Sequence, residues 1–405
     1  MSRKGNARIA GSLEGCNYTT FTAVGLLEAS EEIRSWRQCF YAVLATQRKI
    51  NPDRLNMPKS KKDEKNARID SALATITKKF GAGTAVQLGK QPPMEPIDSF
   101  STGSILGDHM IGCGGIPRGR ITEVNGPDGG GKTTSALQVV ANAQAQGENA
   151  AYIDGEQAFD PIYAAKLGVN VPALYLSQPE YGEKAIEIIL TLLETKAFGI
   201  VVMDSVPSLI PKVVLESDVG DMGFALIARL LSVELPRQLP ILRKTNTAMI
   251  YINQVRDRMN AYPGQSTTQT PGGRAFKHSA SLRLEIRRKA SLKDGDRVIG
   301  ARTVVKMIKN KVGGAPYTTF EYDMIYGYGI SREAEVIELG VKCGVLEKEG
   351  SVIIYKNQRL GNGREAARRF LVDTPEVMVE LLPLVKEAVK HDKDLQLPSS
   401  PADAE

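Results

Sequence analysis

Cysteine is scarce. Cys16, Cys39, Cys113 and Cys343 stand far apart and no two form a C-x-x-C pair. That excludes a disulfide framework and a zinc ribbon, and it fits a reduced, cytoplasmic chain with buried thiols. Histidine is scarcer still: His109, His278 and His391 are dispersed, so side chains alone build no metal cage. No apolar run approaches the roughly 20 residues that a membrane span needs. The stretch FTAVGLLEA is too short and comes after polar residues and Glu14, so neither a signal peptide nor a membrane partner is read. Neither sign of charge dominates. The 52 Lys and Arg against 46 Asp and Glu leave a net +6, which permits a polyanion partner without requiring one. The remaining composition, 42% hydrophobic and 24% charged over 405 residues, is that of a globular chain of two or three domains.

Residues 1–56 differ in character from the rest of the chain. One amphipathic helix is expected there, capped by Ser30, with Ile33, Trp36, Phe40 and Leu44 on one face. A charged linker, NPDRLNMPKSKKDEKN, comes next, and MPKSKKDEKN from Met57 is also a plausible translation start. A second helix is expected from Asn66 to about Lys79, with Ile69, Leu73, Ile76 and Phe80 along one face, and then a short strand in GAGTAVQLG. Such a helix–strand unit is too small to bury its own core and must pack on something else. From there apolar runs alternate with helical patterns, the mark of a parallel sheet. RITEVNG, NAAYIDGE, FGIVVMDS and NTAMIYINQ read as strands, and TTSALQVVANAQAQG and GEKAIEIILTLLETKA as helices. ASLRLEIRRKA and RTVVKMIKNK alternate with period 2 and read as an antiparallel edge. After Ile330 comes a small α/β unit, then a polar tail.

The strongest chemical signal is NGPDGGGKTTSALQ. Gly126, Gly131, Lys132 and Thr133 fit G-x-x-x-x-G-K-[ST], with a strand before and a helix after. In the loop of Gly126, Pro127, Asp128, Gly129, Gly130 and Gly131 the glycines let backbone N–H groups face phosphates, and the helix N-terminus adds positive potential at Lys132, Thr133 and Thr134. Lys132 is expected to reach the β- and γ-phosphates and Thr133 to ligate Mg²⁺. Asp204, at the end of an apolar strand, suits the Mg²⁺ water shell, although an acid there is otherwise a plain strand terminus. YIDGEQAFD ends the neighbouring strand, and Glu156 is its best candidate for activating water, against a solvated loop acid as the bland alternative.

STGSILGDHMIGCGGIPRGRITEVNGPDGGGKTT, YIDGEQAFDPIYAAKLGV, VVMDSVPSLIPK, YINQVR, TPGGRAFKHSASLRLEIRR and VVKMIKNKV together resemble the bacterial RecA recombinase family, including phage-encoded relatives, over about residues 62–385. The resemblance implies an α/β fold: a RecA-like P-loop ATPase core, mostly parallel twisted sheet flanked by helices, with a small N-terminal helix–strand oligomerisation unit and a small C-terminal α/β domain. The expected divisions are an unmatched extension at 1–56, the polymerisation unit at 57–93, the core at 94–330, the C-terminal domain at 331–390 and a disordered tail at 391–405. The resemblance implies an ATP- and Mg²⁺-dependent filament on single-stranded DNA that pairs it with homologous duplex, and that also stimulates self-cleavage of a LexA-like repressor. It makes Glu156 the base and Gln254 the sensor between γ-phosphate and DNA loop. It puts Asp160, Tyr163 and Tyr326 at the adenine, and sends Lys309 and Lys311 to the neighbouring subunit's ATP.

The segment from Arg256 to Gly273 is long, polar and ends in glycine, which inside a compact domain means a functional or a mobile loop. The resemblance makes it the main DNA-binding loop. Gly272 and Gly273 would offer N–H groups to phosphates, Arg256 charge, and Met259 a wedge between bases. Met222, Gly223 and Arg229 match a second DNA loop, where the chain departs by two extra residues and by Pro236 in place of an expected arginine. Residues 281–311 hold ten Lys and Arg against three acids, an electrostatic footprint for nucleic acid. Arg287, Arg288 and Lys306 match the family's weaker duplex site. Val304 replaces an expected arginine, and Arg302, two residues back on the same strand face, is expected to compensate. A helicase-like motor on the same fold, or a filament acting mainly in damage signalling, are the other readings.

Overall fold

The computed structural model describes residues 61–81, 83–87, 96–216, 223–257, 268–392 and 395. The chain forms two compact units, 1–94 and 95–405. The helix expected near Ser30 lies outside the described residues, as do Cys16 and Cys39; Cys113 and Cys343 are only half-buried rather than buried.

In the first unit, α1 spans Lys61–Phe80. It starts five residues before the expected Asn66, because Lys61, Lys62, Glu64 and Lys65 favour helix. Leu73 and Ile76 are half-buried, while Ile69 and Phe80 are exposed at 54% and 69%. Among the described residues the strand expected just beyond is not formed: Gly83–Ala85 make a turn and bends, and Val86 and Gln87 carry no regular structure. A strand exists only through a partner's ladder, and periodicity in one segment says nothing about whether a partner is present.

In chain order the second unit has β1 (Ser99–Phe100), α2 (Ile105–Ile111), β2 (Ile116–Pro117), β3 (Ile121–Gly126), α3 (Lys132–Ala145), β4 (Asn149–Asp154), α4 (Pro161–Lys166), β5 (Leu174–Ser177), α5 (Gly182–Glu194), β6 (Phe198–Asp204), α6 (Lys212–Leu215), α7 (Gly223–Thr245) and β7 (Ala248–Gln254). Next come β8 (Arg256–Asp257), β9 (Thr268–Gln269), α8 (Ala275–Ser279), β10 (Leu282–Asp294), β11 (Arg297–Asn310), β12 (Thr319–Ile325) and β13 (Gly329–Ile330). The C-terminal part comprises α9 (Arg332–Lys342), β14 (Glu347–Glu349), β15 (Val352–Tyr355), β16 (Gln358–Asn362), α10 (Arg364–Asp373) and α11 (Pro375–His391).

A nine-stranded sheet runs β13-β12-β11-β10-β3-β7-β6-β4-β5. From β10 to β5 every pairing is parallel, and β10 to β13 are joined antiparallel. The central strands are apolar on both faces. Val124, Ile250, Val202 and Tyr152 meet Leu137 and Val140 of α3 on one side. Ile121, Met249, Val201 and Ile153 meet Ile186, Ile189 and Leu193 of α5 and Leu231 and Leu235 of α7 on the other. Helix α7 runs through Pro236 and Pro240, residues that normally break helices. Its buried stripe of Ile227, Leu231, Leu235 and Leu242 offsets the lost backbone bonds.

The hairpin β10–β11 is an edge only in part. Leu282–Glu285 pairs with β3, and β12 and β13 lie beyond β11. Past Glu285 the β10 strand pairs with β11 alone. Alternation looks the same for a true edge and for an inner strand with one wet face, so periodicity did not separate them. The C-terminal part has its own three-stranded sheet and core, including Ile337, Leu346, Ile353, Leu371 and Leu381. Its β15–β16 hairpin turns at Lys356 and Asn357, both with positive φ (45° and 65°).

Candidate active site

The parallel register aligns the carboxyl ends of four strands. Gly126 of β3 lies opposite Gln254 of β7, and Asp154 of β4 lies opposite Asp204 of β6. The phosphate loop therefore leaves β3 at the sheet edge where the other candidate residues converge. Gly126 has φ 154°, and a Cβ there would sit 2.1 Å from the Ile286 carbonyl oxygen, so no side chain fits. Gly131 caps α3 in the left-handed region (φ 92°). Lys132 is buried, and its Nζ donates to the carbonyls of Gly126 (3.1 Å) and Pro127 (2.8 Å). Burial pulls the Lys132 pKa down, opposed by Asp128, Asp204 and Glu156.

Thr133 Oγ1 donates to Asp204 Oδ2 at 2.8 Å, and Tyr152 Oη donates to the same oxygen at 2.7 Å. Burial raises the Asp204 pKa, while these two hydroxyls lower it. A hydroxyl and a carboxylate side by side next to a phosphate loop are the hard-oxygen donors that fit Mg²⁺, which takes one or two protein ligands and fills its shell with phosphate and water. Among the described residues no group of three or more His, Cys, Asp or Glu forms a complete metal cage.

Glu156 lies just past β4. Ser205 Oγ donates to its Oε1, and Gln254 Nε2 approaches the same oxygen at 3.4 Å. The Asp204–Ser205 peptide is cis. Sequence reasoning missed Ser205 and Tyr152, although Ser205 directly succeeds Asp204 and Tyr152 opens the stretch that carries Glu156. Asp160 Oδ1 caps α4 by accepting from the N–H groups of Ile162 (2.8 Å) and Tyr163 (3.0 Å), and Tyr163 Oη meets Thr134 Oγ1 at 2.7 Å. Tyr326, 54% exposed, lies just past β12, whose Met324 sulfur would lie 2.6 Å from a Cβ on Gly131.

Lys309 and Lys311 stand elsewhere. The Lys311 N–H donates to Ser281 O (3.0 Å), and the Ser281 N–H to Ile121 O (2.9 Å), so Lys311 flanks the amino end of β3, while Lys309 lies two strands away at the level of Glu123. The phosphate loop leaves the other end, roughly 17 Å along the strand from Ile121 and, for Lys309, roughly 10 Å along and two strand spacings across, beyond the reach of one side chain. Lys309 Nζ rests on the carbonyls of Lys277 (2.5 Å) and His278 (3.4 Å).

The loop from Arg256 rises on a two-stranded stem, Arg256 opposite Gln269 and Asp257 opposite Thr268. Met259 and Met222 lie outside the described residues; Gly223 opens α7. Gly272 is buried with φ 85°, and a Cβ there would meet Leu231 at 2.9 Å. A Cβ on Gly273 would meet Ala228 at 3.5 Å, which puts this loop's end beside the exposed Arg229 of α7. On the hairpin, Arg287 and Arg288 are exposed. Arg287 pairs with Glu285, Arg288 bonds Ser291 Oγ at 2.7 Å, and Lys306 is exposed.

Arg302 does share a strand face with Val304 and Lys306, but it does not face solvent as a free cation. It bonds Glu338 at 2.7 and 2.8 Å and Glu321 and Asp323 at 3.1 Å each, with 18% of its side chain exposed. Hydrogen bonds to Glu338 above all raise its pKa. Three carboxylates thus occupy the guanidinium. Its task is to tie β11 and β12 to α9, with Arg364 of α10 within 2.8 Å of Asp323 and 2.7 Å of Glu338.

A parallel sheet with a lysine-bearing glycine loop after one strand, a Thr–Asp pair beside it and a carboxylate at the next strand's end defines a P-loop ATPase. The model of the RecA N-terminal domain matches residues 67–331, and that of the RecA C-terminal domain matches 334–390. Protein RecA of Bifidobacterium breve is 46% identical over 323 residues, covering 80% of this chain and 82% of the relative. Protein RecA of Parvibaculum lavamentivorans is 44% identical over 353 residues (87% and 96%), and that of Bacillus subtilis 45% over 324 (80% and 92%). The chain belongs to the RecA family. It is a recombinase of DNA repair and a DNA-dependent ATPase that binds ATP and DNA and self-assembles. Among the described residues no helix is long and apolar enough to cross a membrane.

Proposed function

We propose that the ATP site is shared between successive subunits of a helical filament on single-stranded DNA, and that nucleotide state sets the grip on DNA during homologous pairing and strand exchange. The observation that carries this is the meeting of Gln254 and Glu156 at 3.4 Å beside the Thr133–Asp204 pair, because Gln254 leads directly into the loop stem at Arg256. The loop Gly126–Thr134 cradles the triphosphate, and Lys132 exchanges its carbonyl partners for phosphate oxygens. Asp160 through Oδ2, Tyr163 and Tyr326 hold the adenine. Mg²⁺, held by Thr133 and through water by Asp204, neutralises phosphate charge when bound.

Glu156 takes the proton of the attacking water, oriented by the Ser205 hydroxyl. Gln254 answers to the γ-phosphate. Lys309 and Lys311, remote from their own loop, complete the neighbour's site. Arg256, Met259, Gly272, Gly273, Met222, Gly223 and Arg229 grip single-stranded DNA, and Arg287, Arg288 and Lys306 the incoming duplex. The filament acts in the cytoplasm and also stimulates a LexA-like repressor's self-cleavage. Strand exchange between circular single-stranded and homologous linear duplex DNA tests the reading: joint molecules should form with ATP and Mg²⁺, and their absence with homologous partners would refute it.

A further inference from the structure

Three polar residues are sealed inside the sheet, apart from the nucleotide: Glu123 of β3 (0% exposed), Asn253 of β7 (0%) and Arg283 of β10 (6%). Arg283 Nε donates to Glu123 Oε2. Asn253 Nδ2 donates to Glu123 Oε1 at 2.8 Å and to the Pro271 carbonyl at 3.0 Å, and Asn253 Oδ1 accepts the Gln254 N–H at 3.0 Å. A buried ion pair contributes little net stability compared with apolar residues of the same size, so stability alone does not account for this one. Its connections are more telling. Arg283 lies directly opposite Lys309 in the β10–β11 ladder, and Lys309 Nζ rests on α8 carbonyls. A continuous line therefore crosses four adjacent strands, from the lysine assigned above to the neighbour's site to the amide that fixes both Gln254 and the residue before Gly272.

We propose that Arg283, Glu123 and Asn253 are positioning residues that pass the state of the subunit interface at Lys309 to Gln254 and to the Pro271–Gly273 end of the DNA loop. The proposal rests on the shared-site reading above. Movement of Lys309 towards a neighbour's phosphates removes one cation from beside Arg283. The Arg283–Glu123 pair then shifts, and Asn253, which holds Glu123 with the same amide nitrogen that holds Pro271 O, shifts with it. The Asn253 amide suits this task because its two N–H groups, one on Glu123 and one on Pro271 O, belong to one rigid plane, so a movement of Glu123 that turns the amide moves both bonds. Lys309 reflects the coupling: burial, then Lys311 and Arg283, lower its pKa, and Glu123 opposes them.

The test compares affinity for an oligo(dT) with a non-hydrolysable ATP analogue and with ADP, in wild type, Asn253→Ala and Glu123→Gln. The wild type should bind more tightly in the ATP state by about tenfold or more, an ordinary coupling. Asn253→Ala should bring that ratio to within about twofold of unity while ADP-state affinity and nucleotide affinity stay near wild type. Glu123→Gln, which keeps the shape and an acceptor for Asn253, should lower the ratio in part, and it carries the test if Asn253→Ala does not fold. A folded variant with the wild-type ratio overturns the proposal, as does an equal loss of affinity in both states, which marks a merely structural role. A wild type with no ratio at all overturns the shared-site reading first and the relay with it.

Discussion

Glu335 of α9 is 3% exposed, and its carboxyl accepts from Ser104 Oγ (2.6 Å) and the Ile105 N–H (2.9 Å). It thereby anchors the N-terminus of α2 to the C-terminal part. Burial pushes its pKa up from 4.5 to about 7, partly offset by those two hydrogen bonds, with nearby Asp108 pushing the same way. The folded chain therefore holds a proton that the unfolded chain has released, and between pH 4.5 and 7 its stability falls as pH rises. At about 1.4 kcal/mol per pKa unit, the loss accumulated by pH 8 is on the order of 3 kcal/mol. Glu335→Gln keeps an acceptor oxygen and carries no charge, so it should cancel this loss. Denaturant midpoints of wild type and variant, measured at pH 5 and pH 8, should differ more at pH 8, in the variant's favour by roughly 1–3 kcal/mol. A wild-type-minus-variant difference that does not change with pH would refute the reasoning, because it would mean that the hydrogen bonds fully offset burial of the charge.

Glu156→Gln should retain ATP and DNA binding while turnover falls about 10²–10⁴-fold, giving long-lived complexes in single-turnover assays. Lys309→Ala should lose DNA-stimulated turnover with its own phosphate loop intact, and mixing with Lys132→Ala subunits should restore part of it, since the latter still donate Lys309. Arg302→Gln should leave duplex DNA affinity within about twofold of wild type, yet cost about 2–4 kcal/mol in unfolding measurements, because three carboxylates lose a shared partner. Replacing Arg287 and Arg288 by Gln should instead weaken duplex binding and reduce the salt slope by about 2.

What the sequence disclosed was chemistry carried by neighbours in the chain. The phosphate loop, Asp204 at the end of an apolar run and Glu156 just past a strand are each local, and the parallel sheet that alternation implies brings their ends together. The Arg283–Glu123–Asn253 line was invisible because Asn253 and Arg283 lie 130 and 160 residues from Glu123, on strands whose order β10-β3-β7 departs from chain order. The surroundings of Arg302 were hidden for a related reason. Period-2 spacing gave its face correctly but not the three acids across from it on β12 and α9. Ser205 and Tyr152 escaped notice because hydroxyls beside acids are common, and only their contacts with Glu156 and Asp204 single them out. The segment Gly83–Gln87 shows the limit from the other side, since a strand is a relation between two segments and no single one specifies it.

The central claim is that nucleotide chemistry at Glu156 is tied through Gln254 to DNA at the loop that begins with Arg256. The ATP turnover rate at fixed protein concentration, measured with and without single-stranded DNA, tests this most directly. A steep rise on adding DNA, abolished by Gln254→Ala with ATP binding intact, is the predicted result. Turnover that is the same with and without DNA would contradict the account.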